Sequence, residues 1–120
     1  MYLYVEEWNV TQKWMELSKQ ERADFFNKIQ PGIEEMMKNG VENVGWAMND
    51  EHTPYRGDYR YMAVWKLPSL EAVEQLESGV AEMGWHKYFS QVNSRGKIMP
   101  LPEAIDFLVN LEARSTSVLE

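Results

Sequence analysis

A chain of 120 residues, 44% of them hydrophobic, has the length of one domain and the apolar content for a core, which excludes intrinsic disorder. Its net charge of -7, with no cluster of lysine and arginine, argues against nucleic acid or an anionic membrane as partner. The lack of cysteine excludes disulfides, thiolate metal sites and a cysteine nucleophile, and two distant histidines do not suggest a metal centre.

Tyr2 to Asn9 alternates Tyr2, Tyr4, Glu6, Trp8 against Leu3, Val5, Glu7, Asn9, the period of a strand. The start, Met1 to Glu7, lacks a basic region followed by an apolar run, so no signal peptide is expected there. No stretch approaches the roughly 20 apolar residues that span a bilayer, and a cytoplasmic protein is the expectation. Trp14 and Leu17 fit a short helical turn. Ser18-Lys19-Gln20-Glu21 then has the spacing of a capping box. Beyond it Phe26, Ile29, Ile33, Met36 and Met37 form a helical stripe that Gly40 should end. Pro31 lies inside this helix and is expected to kink or break it, because it cannot donate to the Asn27 carbonyl.

Val41 to Asn49 reads as a second strand with Val44, Trp46 and Met48 on one face. The polar run Asp50 to Asp58 should be a long, mobile hairpin loop. The third strand, Tyr59 to Leu67, is the clearest in the chain: Tyr59, Tyr61, Ala63 and Trp65 face one way, Arg60, Met62, Val64 and Lys66 the other. Ser69 caps a second main helix carrying Val73, Leu76, Val80 and Met83 on one face. After Gly84 the stripe changes phase to Trp85, Tyr88, Phe89 and Val92, which predicts a break and a short helix to about Val92. Asn93 to Gly96 reads as a turn, and Lys97 to Leu101 as a last strand placed at an edge by Pro100. Pro102 opens a terminal helix with Ala104, Ile105, Phe107, Leu108 and Leu111. Residues 1–112 make the single domain and 113–120 a frayed tail; no internal repeat is expected.

The element order is α+β, a ferredoxin-like βαββαβ antiparallel sheet with both main helices on one face and an added C-terminal helix. Over about residues 1 to 101, with its long first helix and Trp85-His86-Lys87-Tyr88-Phe89 after a broken second helix, the chain resembles the dimeric α+β barrel superfamily. The resemblance implies a homodimer whose open sheet faces enclose a cavity. Leu3, Val5, Met62 and Val64 would then face the helices. Tyr2, Tyr4, Glu6, Trp8, Tyr61, Ala63 and Trp65 would face the cavity, with Trp46 beside them.

Two readings stand for the aromatic set Tyr4, Trp8, Trp46, Tyr61 and Trp65. It packs a core or dimer interface, or it lines a cavity for a small aromatic or apolar ligand. Glu6 among aromatics is the acid–base candidate, since burial would raise its pKa; the plainer alternative is a rim carboxylate paired with Arg60 or Lys66. His86 is a second catalytic candidate, expected half-buried, or simply a boundary histidine. Haem enters only by resemblance: the haem-degrading relatives use an asparagine, a tryptophan and a histidine, matched in type by Asn9, Trp65 and His86. No other cofactor and no metal is expected. Three functional readings follow: a small-molecule-binding dimer, a cofactor-independent monooxygenase or isomerase with Tyr61 orienting substrate, and a non-catalytic dimer module.

Overall fold

The alternating N-terminal run forms β1 (Tyr2–Val10), and the structure, a computed structural model that describes residues 1–112, continues as α1 (Gln12–Glu16) and α2 (Lys19–Lys38). The remaining elements are β2 (Glu42–Met48), β3 (Tyr61–Leu67), α3 (Leu70–Glu82), α4 (Trp85–Tyr88), β4 (Phe89–Lys97) and α5 (Leu101–Val109). The expected tail 113–120 lies outside the described residues. The strands form one antiparallel sheet in the order β2-β3-β1-β4, the ferredoxin-like arrangement of an α+β domain.

Local chemistry sets the helices. The Glu21 amide donates to Ser18 Oγ at 3.1 Å and Glu21 Oε1 accepts from the Ser18 amide at 2.9 Å, so the expected capping box is formed. Gly40 adopts φ +95 just past α2, where a side chain would be strained. α2 runs through Pro31 without a break: Pro31 and Asn27 are both exposed, so the carbonyl that loses its partner faces water. Gly84, at φ +79, separates α3 from α4 as the phase change predicts.

Two of these expectations are corrected. The sheet faces are exchanged: Tyr4, Glu6, Trp8, Ala63 and Trp65 lie under the helices, and Leu3, Val5, Met62 and Val64 lie on the open face. Within one chain only the helix-covered face can bury groups as large as tryptophan, whereas the shorter aliphatic side chains can stay half-covered on the open face. The last strand also begins much earlier than expected, at Phe89, and takes in the second half of the predicted short helix, whose first half is α4, together with the predicted turn. Its nine-residue pairing with β1, from Tyr2↔Lys97 to Val10↔Phe89, outweighs the helical spacing of Trp85, Tyr88, Phe89 and Val92. The loop after β2 carries hydrogen bonds among its own polar groups. The buried Asn49 amide donates to the Tyr59 carbonyl at 2.8 Å, and Arg56 donates to the Asp50 carbonyl at 3.1 Å.

The core has two parts. Tyr4, Val41, Trp65, Leu67, Val73 and Leu76 fill one end, and Trp8, Trp14, Ile29, Ala63, Trp85 and Phe89 the other. The second part accounts for much of the aromatic content: Trp14 alone meets Phe25, Phe26, Tyr88 and Phe89 at centroid distances of 5.6, 5.7, 5.5 and 4.8 Å. α5 differs from the other helices. None of its residues is buried, and Leu101, Phe107, Leu108 and Val109 are each at least 65% exposed.

Candidate functional site

Glu6 extends from β1 under the helices and is 6% exposed. Its Oε1 accepts the Trp65 indole N–H at 2.6 Å, and its Oε2 accepts from Gln91 Nε2 at 2.8 Å. Gln91 is itself fixed: its Oε1 accepts the Trp85 indole N–H at 2.6 Å, and its Nε2 also donates to Asn93 Oδ1 at 2.7 Å. Register explains this assembly. Glu6 pairs with Ala63 and Asn93, so Trp65 and Gln91 are its diagonal neighbours on the strands to either side. Burial lifts the carboxyl above its ordinary value of 4.5, and the Trp65 and Gln91 donors partly offset this by favouring the charged form.

Above Glu6, the two main helices leave a partly open cavity of about 180 Å³. The sheet contributes Glu6, Trp46 and Trp65, and α4 contributes Trp85. α2 supplies Ile29, Gly32, Ile33 and Met36; α3 supplies Gln75, Leu76, Gly79, Val80 and Met83. A Cβ at Gly32 or Gly79 would meet no atom within 4 Å, so both glycines border open space. Glu6 and Gln75 are the polar side chains among these residues.

A smaller cleft of about 80 Å³ also borders Glu6 and is lined by Tyr4, Glu77, Val80, His86, Gln91 and Asn93. Tyr4 donates its hydroxyl to Glu77 Oε2 at 3.2 Å, and Arg95 pairs with Glu77 Oε1 at 2.7 Å. Burial first, then the Glu77 carboxylate, pushes the Tyr4 hydroxyl pKa up, so it stays a neutral donor.

The sequence-predicted residues therefore separate. Glu6, Trp46 and Trp65 line the cavity, which lies on the helix side and not on the open sheet face. Tyr4 is 2% exposed and borders the cleft. Trp8 packs, with its ring 5.0 Å from Trp46, 6.0 Å from Tyr61 and 5.8 Å from Trp85; with Trp46 and Tyr61 it also edges a shallow surface depression. Glu6 is not paired with Arg60 or Lys66. Arg60 pairs instead with Glu51 at 3.3 Å, and Lys66 is on the open face. His86 is exposed, not half-buried, and borders the cleft only, so of the two acid–base candidates Glu6 alone lines the cavity.

The three residues matched by type to the haem-degrading relatives are not brought together. Asn9 is on the open face, accepting from the Arg60 amide at 2.9 Å, while Trp65 is under the helices and His86 is outside the cavity. Among the described residues no group of three or more histidine, cysteine, aspartate or glutamate side chains could hold a metal ion.

Sequence reading missed Trp85 and Gln91, because Gln91 sat in a misplaced helix. It also missed a repeat. Ile29-x-x-Gly32-Ile33-x-x-Met36 on α2 and Leu76-x-x-Gly79-Val80-x-x-Met83 on α3 share one pattern, and all eight of these residues line the cavity. A glycine on an otherwise apolar helical stripe was the available signal.

Comparison with known proteins agrees with this fold. A structure described as "Putative Chlorite dismutase" superposes with a TM-score of 0.63 at 14% identity, covering 89% of this chain and 48% of that one. This chain thus spans about half that protein's length. A protein of Arabidopsis thaliana superposes with a TM-score of 0.58 at 9% identity, covering 84% of this chain and 98% of that one. A dimeric ferredoxin-like protein from an uncultured marine organism gives 0.46 at 13% identity, over 83% and 96% of the two chains. These likenesses show the ferredoxin-like fold. No curated protein matches the chain. A family model described as a family of unknown function matches residues 1–111.

Proposed function

The chain thus belongs to DUF6616, and from its site we propose that it binds a small, largely apolar molecule in the cavity between α2, α3 and the sheet. The observation that carries this reading is the cavity itself, about 180 Å³ walled by aliphatic, methionine and tryptophan side chains, with Glu6 as a buried polar contact. An apolar protein cavity of about 150 Å³ holds benzene, so the size suits a single aromatic ring with a short substituent. Gly32 and Gly79 maintain the space, each at a cost to helix stability that packing alone would not require.

The test is a thermal-shift series with single-ring aromatic compounds on the wild type and on Gly79→Leu, which puts a side chain into the cavity. A ligand that binds only the folded state at 100 times its Kd stabilises by about 2.7 kcal/mol. A shift in the wild type that is lost in Gly79→Leu supports the reading. Equal responses in the two proteins overturn it.

A separate observation favours self-association as a homodimer. Leu3 and Val92 are exposed on the open face, Val5, Met62 and Val64 are only half-buried, and α5 presents further apolar side chains to solvent. Mass in solution tests this: 14.1 kDa for one chain, twice that for the dimer.

A further inference from the structure

We propose that the cavity's ligand is a small organic cation, a protonated amine on an aromatic or compact aliphatic body, with its ammonium group on Glu6. This rests on the binding reading above and goes further by naming the chemistry of the ligand.

Glu6 is a buried carboxylate whose hydrogen-bond partners carry no positive charge. Buried carboxylates in proteins are paired with a cation or coordinate a metal, because leaving water uncompensated is costly. Glu6 is 6% exposed, yet both donors that reach it, the Trp65 indole and the Gln91 amide, are neutral. Among the described residues the lysine and arginine ion pairs are Arg60–Glu51 and Arg95–Glu77, and neither involves Glu6. Of the nearby charges, Glu77 is already held by Arg95, and His86, which favours the charged form of Glu6 electrostatically, is exposed across the small cleft.

The carboxylate has room for a further donor. Its two oxygens offer about four acceptor positions, and the two hydrogen bonds named use one on each oxygen. It also lines the cavity, so a bound molecule can reach it. The surroundings suit a cation with an apolar body. Trp46, Trp65 and Trp85 border the same space, and tryptophan faces attract ammonium groups more strongly than other rings do. Aliphatic walls from α2 and α3 would hold the rest of the molecule. A carboxylic acid would place a second negative charge against Glu6, and a neutral alcohol would leave the charge unpaired.

The experiment measures Kd by calorimetry at neutral pH for three probes of nearly equal size: benzylamine, benzyl alcohol and benzoate. With wild-type protein, benzylamine should bind at least about tenfold more tightly than benzyl alcohol, the factor expected from one charge-assisted hydrogen bond, and benzoate most weakly. In Glu6→Gln the preference for the amine should collapse to within about twofold while benzyl alcohol still binds. Trp46→Leu, at a half-exposed edge position where folding is tolerant, should also narrow the preference. Equal or tighter binding of benzyl alcohol or benzoate by the wild type overturns the cation assignment and leaves the cavity reading intact. An amine preference that survives in Glu6→Gln overturns it too, because the amine would then sit elsewhere. If none of the probes binds, both proposals fall.

Discussion

Trp65 and Glu6 are diagonal neighbours across β3 and β1, joined by a 2.6 Å hydrogen bond from the indole to a carboxylate that water barely reaches. Trp65→Phe keeps an aromatic ring there and deletes the donor. The expected cost at neutral pH is about 1.5–3 kcal/mol, the usual range for a hydrogen bond to a charged group. Chemical denaturation at neutral and at acid pH checks it. The loss should shrink in acid, where a protonated Glu6 depends less on the indole.

Glu6 also makes stability depend on pH. Its carboxyl is raised in the folded state relative to the ordinary 4.5, so the native protein holds this proton more tightly than the unfolded chain. The resulting stabilisation is fully present below 4.5 and is lost as pH rises through the raised value. Tyr4, Glu77, Arg95 and His86 surround the same region, so wild type must be compared with a variant lacking only this proton. Denaturant midpoints should therefore fall with rising pH more steeply in wild type than in Glu6→Gln. Parallel curves would contradict it.

Gly79 sits within α3 with open space where a Cβ would go. Gly79→Ala should stabilise the protein by about 0.5–1 kcal/mol, since alanine restores helix propensity without meeting a neighbour. Urea unfolding gives the value. The same change trims the cavity, so binding of a benzene-sized probe should weaken as stability rises.

α5 contributes no buried residue. Deleting residues 101–120 should leave the melting temperature of the dilute protein within about 3 °C, the scale of surface changes. Binding of a fluorescent hydrophobic dye should drop markedly, because Leu101, Phe107, Leu108 and Val109 leave with the helix. A large fall in melting temperature would mean that α5 supports the domain.

Local signals carried the first two-thirds of the fold. The capping box at Ser18, the terminator at Gly40, the cap at Ser69 and the break at Gly84 each act within a few residues, and each is found where the sequence puts it. β4 was hidden because its register with β1 is a contact between chain ends. Beyond Phe89, its helix-facing side chains Gln91, Asn93 and Arg95 are polar and gave no alternating apolar signal. For the site, Glu6 and the tryptophans were visible as a carboxylate aligned with aromatics. Which face they shared was not, because alternation fixes two faces without saying which one the helices will cover. His86 shows the same limit: its place in a phase-shifted aromatic run implied partial burial, and a four-residue α4 instead leaves it in water.

The matching Gly-bearing stripes of α2 and α3 make the cavity's two helical walls chemically near-equivalent, aliphatic–glycine–aliphatic–methionine on each side. A rounded apolar guest would find little in those walls to choose one orientation over its mirror. The choice falls to the sheet, where Glu6 interrupts an otherwise hydrophobic floor. A single carboxylate thus acts as the compass needle of a nearly unhanded chamber, and replacing it would let a guest tumble before it would cause the guest to leave.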